Sequence, residues 1–374
     1  MRKLTPRYHR WLIYRCRVAL RPRRLEPKVA RLTTSAGTRF VRVLSEKRLP
    51  SVMCLDRNYS ETIDVIRDLQ LRASRRAAGR LLRPTGRRSG RIGWVKNATD
   101  FSTINSISAG AALMLAAGYD RLSRVSGLVP ATIDIDQWNP DVRATLAGLG
   151  FFDLLDLNIG VAASSNGLLI EPMVSGSDAD LSPVNEAILS LFGKVQGDTG
   201  LRIQLASAVT DAVENVRSHA YPPKYTDFRD TVPFWWFVGA ADHEGRVTLA
   251  IYDQGITIPQ ALPLKWEVGL LTQRFFSLFS LSFDPSDASH DGKAIDMAMQ
   301  LTASSTGLPY RGKGLPKILD IIKLCPEGRL RVVSRCGECI YGADGSKVVK
   351  THERPLLGTY LELEALISNR LQQP

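Results

Sequence analysis

The chain has 374 residues, 44% of them hydrophobic, five cysteines and a formal net charge of +12. This length and apolar content predict ordinary cores in about two domains. No run of 18 consecutive apolar residues occurs, which argues against a membrane-spanning helix and predicts a soluble protein. Five cysteines with no disulfide-like framework fit a reducing, cytoplasmic setting, and a bacterial one is expected.

The positive charge sits at one end. Residues 1–91 hold 25 Lys/Arg against 6 Asp/Glu, and the remainder holds 24 against 31. Arginine-rich runs at 21–24, 75–80 and 87–91 suit nucleic-acid phosphates or an acidic protein surface, and equally a solvated segment. The run at 75–91 has no aromatic interleaving for base stacking. Residues 8–20 suit an amphipathic helix, but the apolar stretch 11–14 is too short for a signal peptide or a span. Residues 1–45 therefore read as a basic arm, with nucleic acid as one possible partner.

From residue 92 the pattern predicts a strand, an alanine-rich helix, a short strand at 132–136, and a helix over 141–155 broken near Gly148 and Gly150. That order predicts a small α/β unit within 46–175. The segments ISAGAALML (107–115) and L-x-x-L-G-F-F (146–152) resemble a STAS domain, the fold of anti-sigma-factor antagonists. Those antagonists place a phosphorylated serine just before the glycine that opens this helix. Ala109 stands there, preceded by Ser108, so the resemblance implies a structural or partner-binding unit. The polar stretch 176–183 predicts a junction to a second domain over 176–374.

Asp211, Asn215 and His219 lie four residues apart, so a helix over 201–221 stacks them on one face. Ile203, Leu205, Ala208, Val209, Ala212, Val213 and Val216 supply the opposite, core-facing stripe. A carboxamide oxygen can ligate Mg²⁺, and a carboxylate one turn away can order a water or a hydroxyl. The spacing also suits a merely solvated face.

Residues 247–259 predict a β-branched strand entering a Gly/Pro turn, with Asp253 at its end and Gly255 two residues on. A carboxylate there can accept from the exocyclic amine of adenine, and a glycine permits close backbone approach. In 311–323, Arg311, Gly312, Lys313 and Gly314 precede an apolar helix, an arrangement suited to phosphate oxygens. Pro316 is tolerated early in that helix. The segment 357–366 alternates like a half-buried strand and opens on Gly358 and Thr359.

These motifs, D-x-x-x-N, D-x-G-x-x-I-P, G-x-G-L and a late G-T, resemble in order those of the GHKL, or histidine kinase-like, ATPases. That superfamily includes gyrase, MutL, the heat-shock-90 chaperones, histidine kinases and anti-sigma-factor kinases. The match covers about residues 180–368. The resemblance implies a two-layer sandwich of a mixed sheet and helices, an α/β (α+β) class, with ATP between the helix layer and a lid. It implies Asn215 as the Mg²⁺ ligand, Asp253 as the adenine contact and Gly255 as a shaper of the base pocket. Gly312 and Gly314 would cradle phosphates, Arg311 and Lys313 would contact them, and Thr359 would support adenine.

Asp211 stands where hydrolysing members carry Glu. One methylene shorter, it implies slow hydrolysis at most, because proton transfer is sensitive to position. Glu214, the rival carboxylate, points about a quarter-turn away. An ATP- and Mg²⁺-dependent switch acting on a protein partner is the leading expectation. A protein serine kinase with Asp211 as its base and a nucleic-acid-associated ATPase are the alternatives.

Three further segments carry weaker signals. Phe275, Phe276, Phe279 and Phe283, at helical spacing in a long connection, suit a lid, ordinary core or a partner-binding face. His290 reads as a loop residue. Cys336 and Cys339 lack the second cysteine pair of a four-cysteine zinc site, so the expectation is structural. They flank the predicted end of a strand at 330–334 and a hairpin over 339–350 with an Asp-Gly turn.

Overall fold

The computed structural model describes residues 28–77, 93–127, 131–160, 167–177, 180–222, 235–262, 287–300, 314–325 and 327–367. It has a mixed α/β fold. Residues 1–27 of the basic arm, the arginine run at 87–91, the phenylalanine-rich segment 270–283 and Arg311, Gly312 and Lys313 lie outside the described residues.

The first strands close a small barrel. β1 (Lys28–Thr34) and β2 (Gly37–Arg48) form an antiparallel hairpin. β2 runs parallel to β4 (Gly93–Asp100), β4 parallel to β6 (Ala131–Ile133), and β6 returns antiparallel to β1. Alternation places Ala30, Leu32, Val41, Val43, Ala98 and Ile133 inside. At one end the Lys28 ammonium lies 3.0 Å from both Glu46 and Asp100 and 3.5 Å from Asp134. The expected arm boundary at residue 45 thus falls within β2. Residues 28–48 are barrel strands whose backbone groups are satisfied by their neighbours.

Beside the barrel, β3 (Val52–Met53) and β5 (Ser106–Ile107) make a short parallel pair. The helices α1 (Tyr59–Ala77) and α2 (Ala109–Ser126) follow them. The Ser108 hydroxyl accepts from the Ala111 amide and caps α2. Alanines and leucines bury α2 all round between residues 109 and 122. α3 (Pro140–Gly148) and α4 (Phe151–Leu154) are separated at Gly150, whose φ of 83° supplies the expected break.

The large sheet has the order β11-β12-β10-β9-β7, with β8 also on β9. Its strands are β7 (Leu169–Ile170), β8 (Val174–Gly176), β9 (Trp235–Ala241), β10 (Arg246–Asp253), β11 (Arg329–Gly342) and β12 (Lys347–Leu366). Every described pairing in it is antiparallel, where the resemblance implies a mixed sheet. Short turns at 242–245 and at the expected Asp344-Gly345 make hairpins of β9–β10 and β11–β12. β11 does not end at Ser334. It continues through a bulge between Ser334 and Gly337.

One face of this sheet packs on α5 (Ser182–Lys194), α6 (Thr199–Asn215), α8 (Asp291–Gln300) and α9 (Gly314–Lys323) through residues such as Val209, Phe237, Ile251 and Leu361, and the short α7 (Ile258–Ala261) follows β10. The other packs on α1 and α2 through Trp236, Val238, Tyr252 and Tyr360. The sheet is therefore a middle layer, not half of an independent two-layer sandwich. β9 is buried at all seven positions, as a strand covered on both faces requires. β7 and β8 already belong to it, so the sheet begins before the expected junction at 176.

Candidate functional site

The candidate site gathers where α6, the end of β10 and the late part of β12 meet. Asp198 caps α6 by accepting from the Leu201 amide at 2.7 Å. Leu205, Val209 and Val213 then bury one face of the helix. Asp211 and Asn215 lie on the half-buried side, one turn apart. Glu214 is exposed and engaged with Arg217 at 2.9 Å, so it faces away as the helical geometry predicts. At Val216 the helix widens into a π-turn through Ala220. The predicted four-residue stack holds for Asp211 and Asn215, while His219, half-buried, stands within this π-turn.

The π-turn ends against the turn after β10. The Ala220 carbonyl accepts from the Ile256 amide at 2.7 Å. A side chain at Gly255 would collide with that same carbonyl. Gly255 thus permits the close backbone approach its motif predicts, and the backbone that approaches is the end of the Asn215 helix. Tyr221, next in the chain, accepts from the Gln254 amide at 3.2 Å.

Asp253 is 2% exposed. Its Oδ1 accepts from the Gly255 amide at 2.8 Å, and the Thr359 amide also bonds its carboxyl. Burial pushes its pKa up to about 7 against the pull of these amides and of Arg121. Gly358 has φ of 87°, and a side chain there would strike the Asp253 carbonyl. Thr359 Oγ1 lies 2.9 Å from Ser334 Oγ. Ser334 also donates to the Gly358 carbonyl and accepts from the Ile258 amide. Asp253, Gly255 and Thr359, more than a hundred residues apart at the extremes, therefore share one hydrogen-bonded cluster.

Gly314 opens α9 as expected. Three residues on, the Lys317 ammonium lies 2.8 Å from Asp211 and 2.8 Å from Ser207, tying α9 to α6. The Asn215 Nδ2 is buried and makes no hydrogen bond among the described residues. The oxygen of the same carboxamide is the atom that could ligate a hard cation. Sequence reasoning missed Lys317 and Ser334. Lys317 carried a signal, since it follows Gly314 in the first helical turn. Ser334 ends an unremarkable apolar strand segment and carried none.

Cys336 and Cys339 are buried and free. Burial pushes both thiols up, Cys339 to about 12, and the Cys339 thiol donates to the Gly292 carbonyl at 3.2 Å. Among the described residues no group of His, Cys, Asp and Glu is arranged to hold a metal, and no helix is long and apolar enough to cross a membrane. A scan of the chain against protein-family models finds no match, and a search of curated proteins finds no relative.

Proposed function

We propose that the C-terminal half binds ATP with Mg²⁺ and acts as a nucleotide-dependent switch on a protein partner, with slow hydrolysis at most. The observation that carries this reading is the convergence of the sequence motifs. Asp253, Gly255 and Thr359 meet in one cluster, sealed by the carbonyl at the end of the helix that bears Asn215.

In this reading Asp253 accepts from the exocyclic amine of adenine, fixed by two backbone amides, and Thr359 supports the base beside it. Asn215 turns its carboxamide oxygen to Mg²⁺, which when bound neutralises phosphate charge. Gly314 and the preceding Arg311, Gly312 and Lys313 meet the phosphates at the N-terminus of α9. Asp211 holds the Lys317 ammonium at 2.8 Å. A carboxylate so engaged is a poor base for a water or a serine hydroxyl, which favours the switch over the serine-kinase alternative.

Isothermal titration of the intact chain with ATP, with and without Mg²⁺, tests the assignment. Asp253→Asn should weaken ATP binding, and Asn215→Ala should weaken its Mg²⁺ dependence. No heat of binding in the wild type would sink it.

One observation favours a second, nucleic-acid-associated role. On the outer face of β2, Phe40 is 61% exposed, Leu44 is likewise exposed, and Arg42 lies between them. Stacking on an aromatic with arginines at hand suits a single strand. A gel shift at low salt that weakens steeply with added salt would support this role.

A further inference from the structure

We infer that the α1–α2 layer is built into the base pocket of the proposed ATP site. Arg121 of α2, acting through Tyr221, is the positioning residue that sets which purine the Asp253 turn prefers, and Gln70 of α1 steadies the facing strand end. This rests on the ATP-binding reading above.

Arg121 is out of place by composition. It lies on a helix otherwise packed through alanine and leucine, and it is only 6% exposed. A guanidinium is buried there only because it is engaged. Its side chain hydrogen-bonds the Tyr221 hydroxyl, which also accepts from the amide of Gln254, the neighbour of Asp253. Among the described residues, the titratable side chains acting on Asp253 are Arg121 from α2, Tyr221 after the π-turn and Tyr252 on β10 itself. Arg121 is the only cation of the three.

The helix that presents Arg121 is anchored to the sheet. The preceding Asp120 accepts from the Trp236 indole at 2.8 Å and from Arg124 at 2.9 Å, and Arg124 reaches Ser175 of β8. From α1, Gln70 donates to the Tyr252 hydroxyl and, at 2.8 Å, to the Leu357 carbonyl. Leu357 leads directly into Gly358 and Thr359, whose amide bonds Asp253. The two helices therefore hold the cluster from both strands that build it.

The chemistry follows from the protonation of Asp253. An ionised carboxylate accepts from a 6-amino purine, whereas a protonated one donates to a 6-oxo purine. A neighbouring cation favours the ionised form, and burial opposes it. Arg121 thus biases the pocket toward adenine over hypoxanthine.

The test is titration of the full chain with ATP and with ITP, in wild type, Arg121→Lys, Arg121→Gln and Tyr221→Phe. Near-ultraviolet circular dichroism checks that each variant is folded. With the titrations run at about pH 8.5, where Asp253 is ionised, wild type should prefer ATP. Arg121→Gln should lose about tenfold in that preference, the scale of one charge-assisted bond. Arg121→Lys should retain most of it, and Tyr221→Phe should shift it in the same direction as Arg121→Gln. A folded Arg121→Gln with an unchanged ATP-to-ITP ratio overturns the inference and leaves the ATP reading standing. If Arg121→Gln fails to fold, an unchanged ratio in Tyr221→Phe overturns it. Absence of binding of either nucleotide to the wild type removes both.

Discussion

The two faces of the large sheet treat buried charge differently. Toward α1 and α2, Arg331 is 3% exposed and lies 3.0 Å from Glu338 and 3.2 Å from Glu362, with Asp56 also on its guanidinium. Glu338 further bonds His352 at 3.0 Å, and His352 stacks on Tyr59 with ring centroids 3.5 Å apart. Burial would push Glu338 up, but His352 and Arg331 outweigh it and hold its carboxyl low. Toward α6 and α9, Asp253 has backbone amides on its carboxyl and a cation only through the Tyr221 arrangement. Asn215 ends in a buried amide nitrogen with no bond among the described residues. The first face pairs its buried charges with opposite ones, although Arg331 Nε and Glu338 Oε1 make no hydrogen bond among the described residues. A buried carboxylate with no ion pair of its own is where a ligand's donor would complete the structure.

The largest expected effect tests the paired face. Arg331→Met would strand Glu338 and Glu362 in the interior and should cost about 3–5 kcal/mol by denaturant unfolding. Adding Glu338→Gln and Glu362→Gln should recover part of that loss. A cost below about 1 kcal/mol in the single variant would mean the network is not what closes this face.

The second prediction concerns the under-compensated face. Folded Asp253 keeps its proton up to about pH 7, whereas the unfolded chain releases it near 3.9. Its contribution is therefore complete below about pH 4 and is lost as pH rises to about 7. Wild-type stability relative to Asp253→Asn should fall across that window, by up to about 4 kcal/mol. Parallel stability curves for the two proteins would show that Asp253 is compensated after all. That result would erase the contrast between the faces.

The smallest effect belongs to the half-exposed Lys317–Asp211 pair. Lys317→Met should change stability by less than about 1 kcal/mol. If the ammonium restrains Asp211, any slow phosphate release should rise in this variant. A fall would instead assign Lys317 to the nucleotide itself.

Much of the layout was legible without a fold. The Asp211–Asn215 stack, the break at Gly150, the Asp344-Gly345 hairpin and the strand ending at Asp253 are local patterns, set by helical period, glycine freedom and turn chemistry. Where local reasoning failed, a longer-range term intervened. The helix predicted over 201–221 ends in a π-turn holding His219, formed where Ala220 meets Gly255 and Ile256. The β1 and β2 residues read as part of an arm are strand, because the β2 partner β4 and the β1 partner β6 lie about 50 and about 100 positions away.

By itself the sequence determined locally patterned features such as the helix bearing Asp211 and Asn215, the break at Gly150 and the strand ending at Asp253, since those depend on neighbours a few positions apart. Only the tertiary structure decided which charges are paired. Lys317 meets Asp211, Arg121 meets Tyr221 and Arg331 meets Asp56, each pair 100 or more positions apart in the chain. No periodicity encodes such contacts. They follow from how the two helical layers close on the sheet, and from the high cost of leaving a buried charge without a partner.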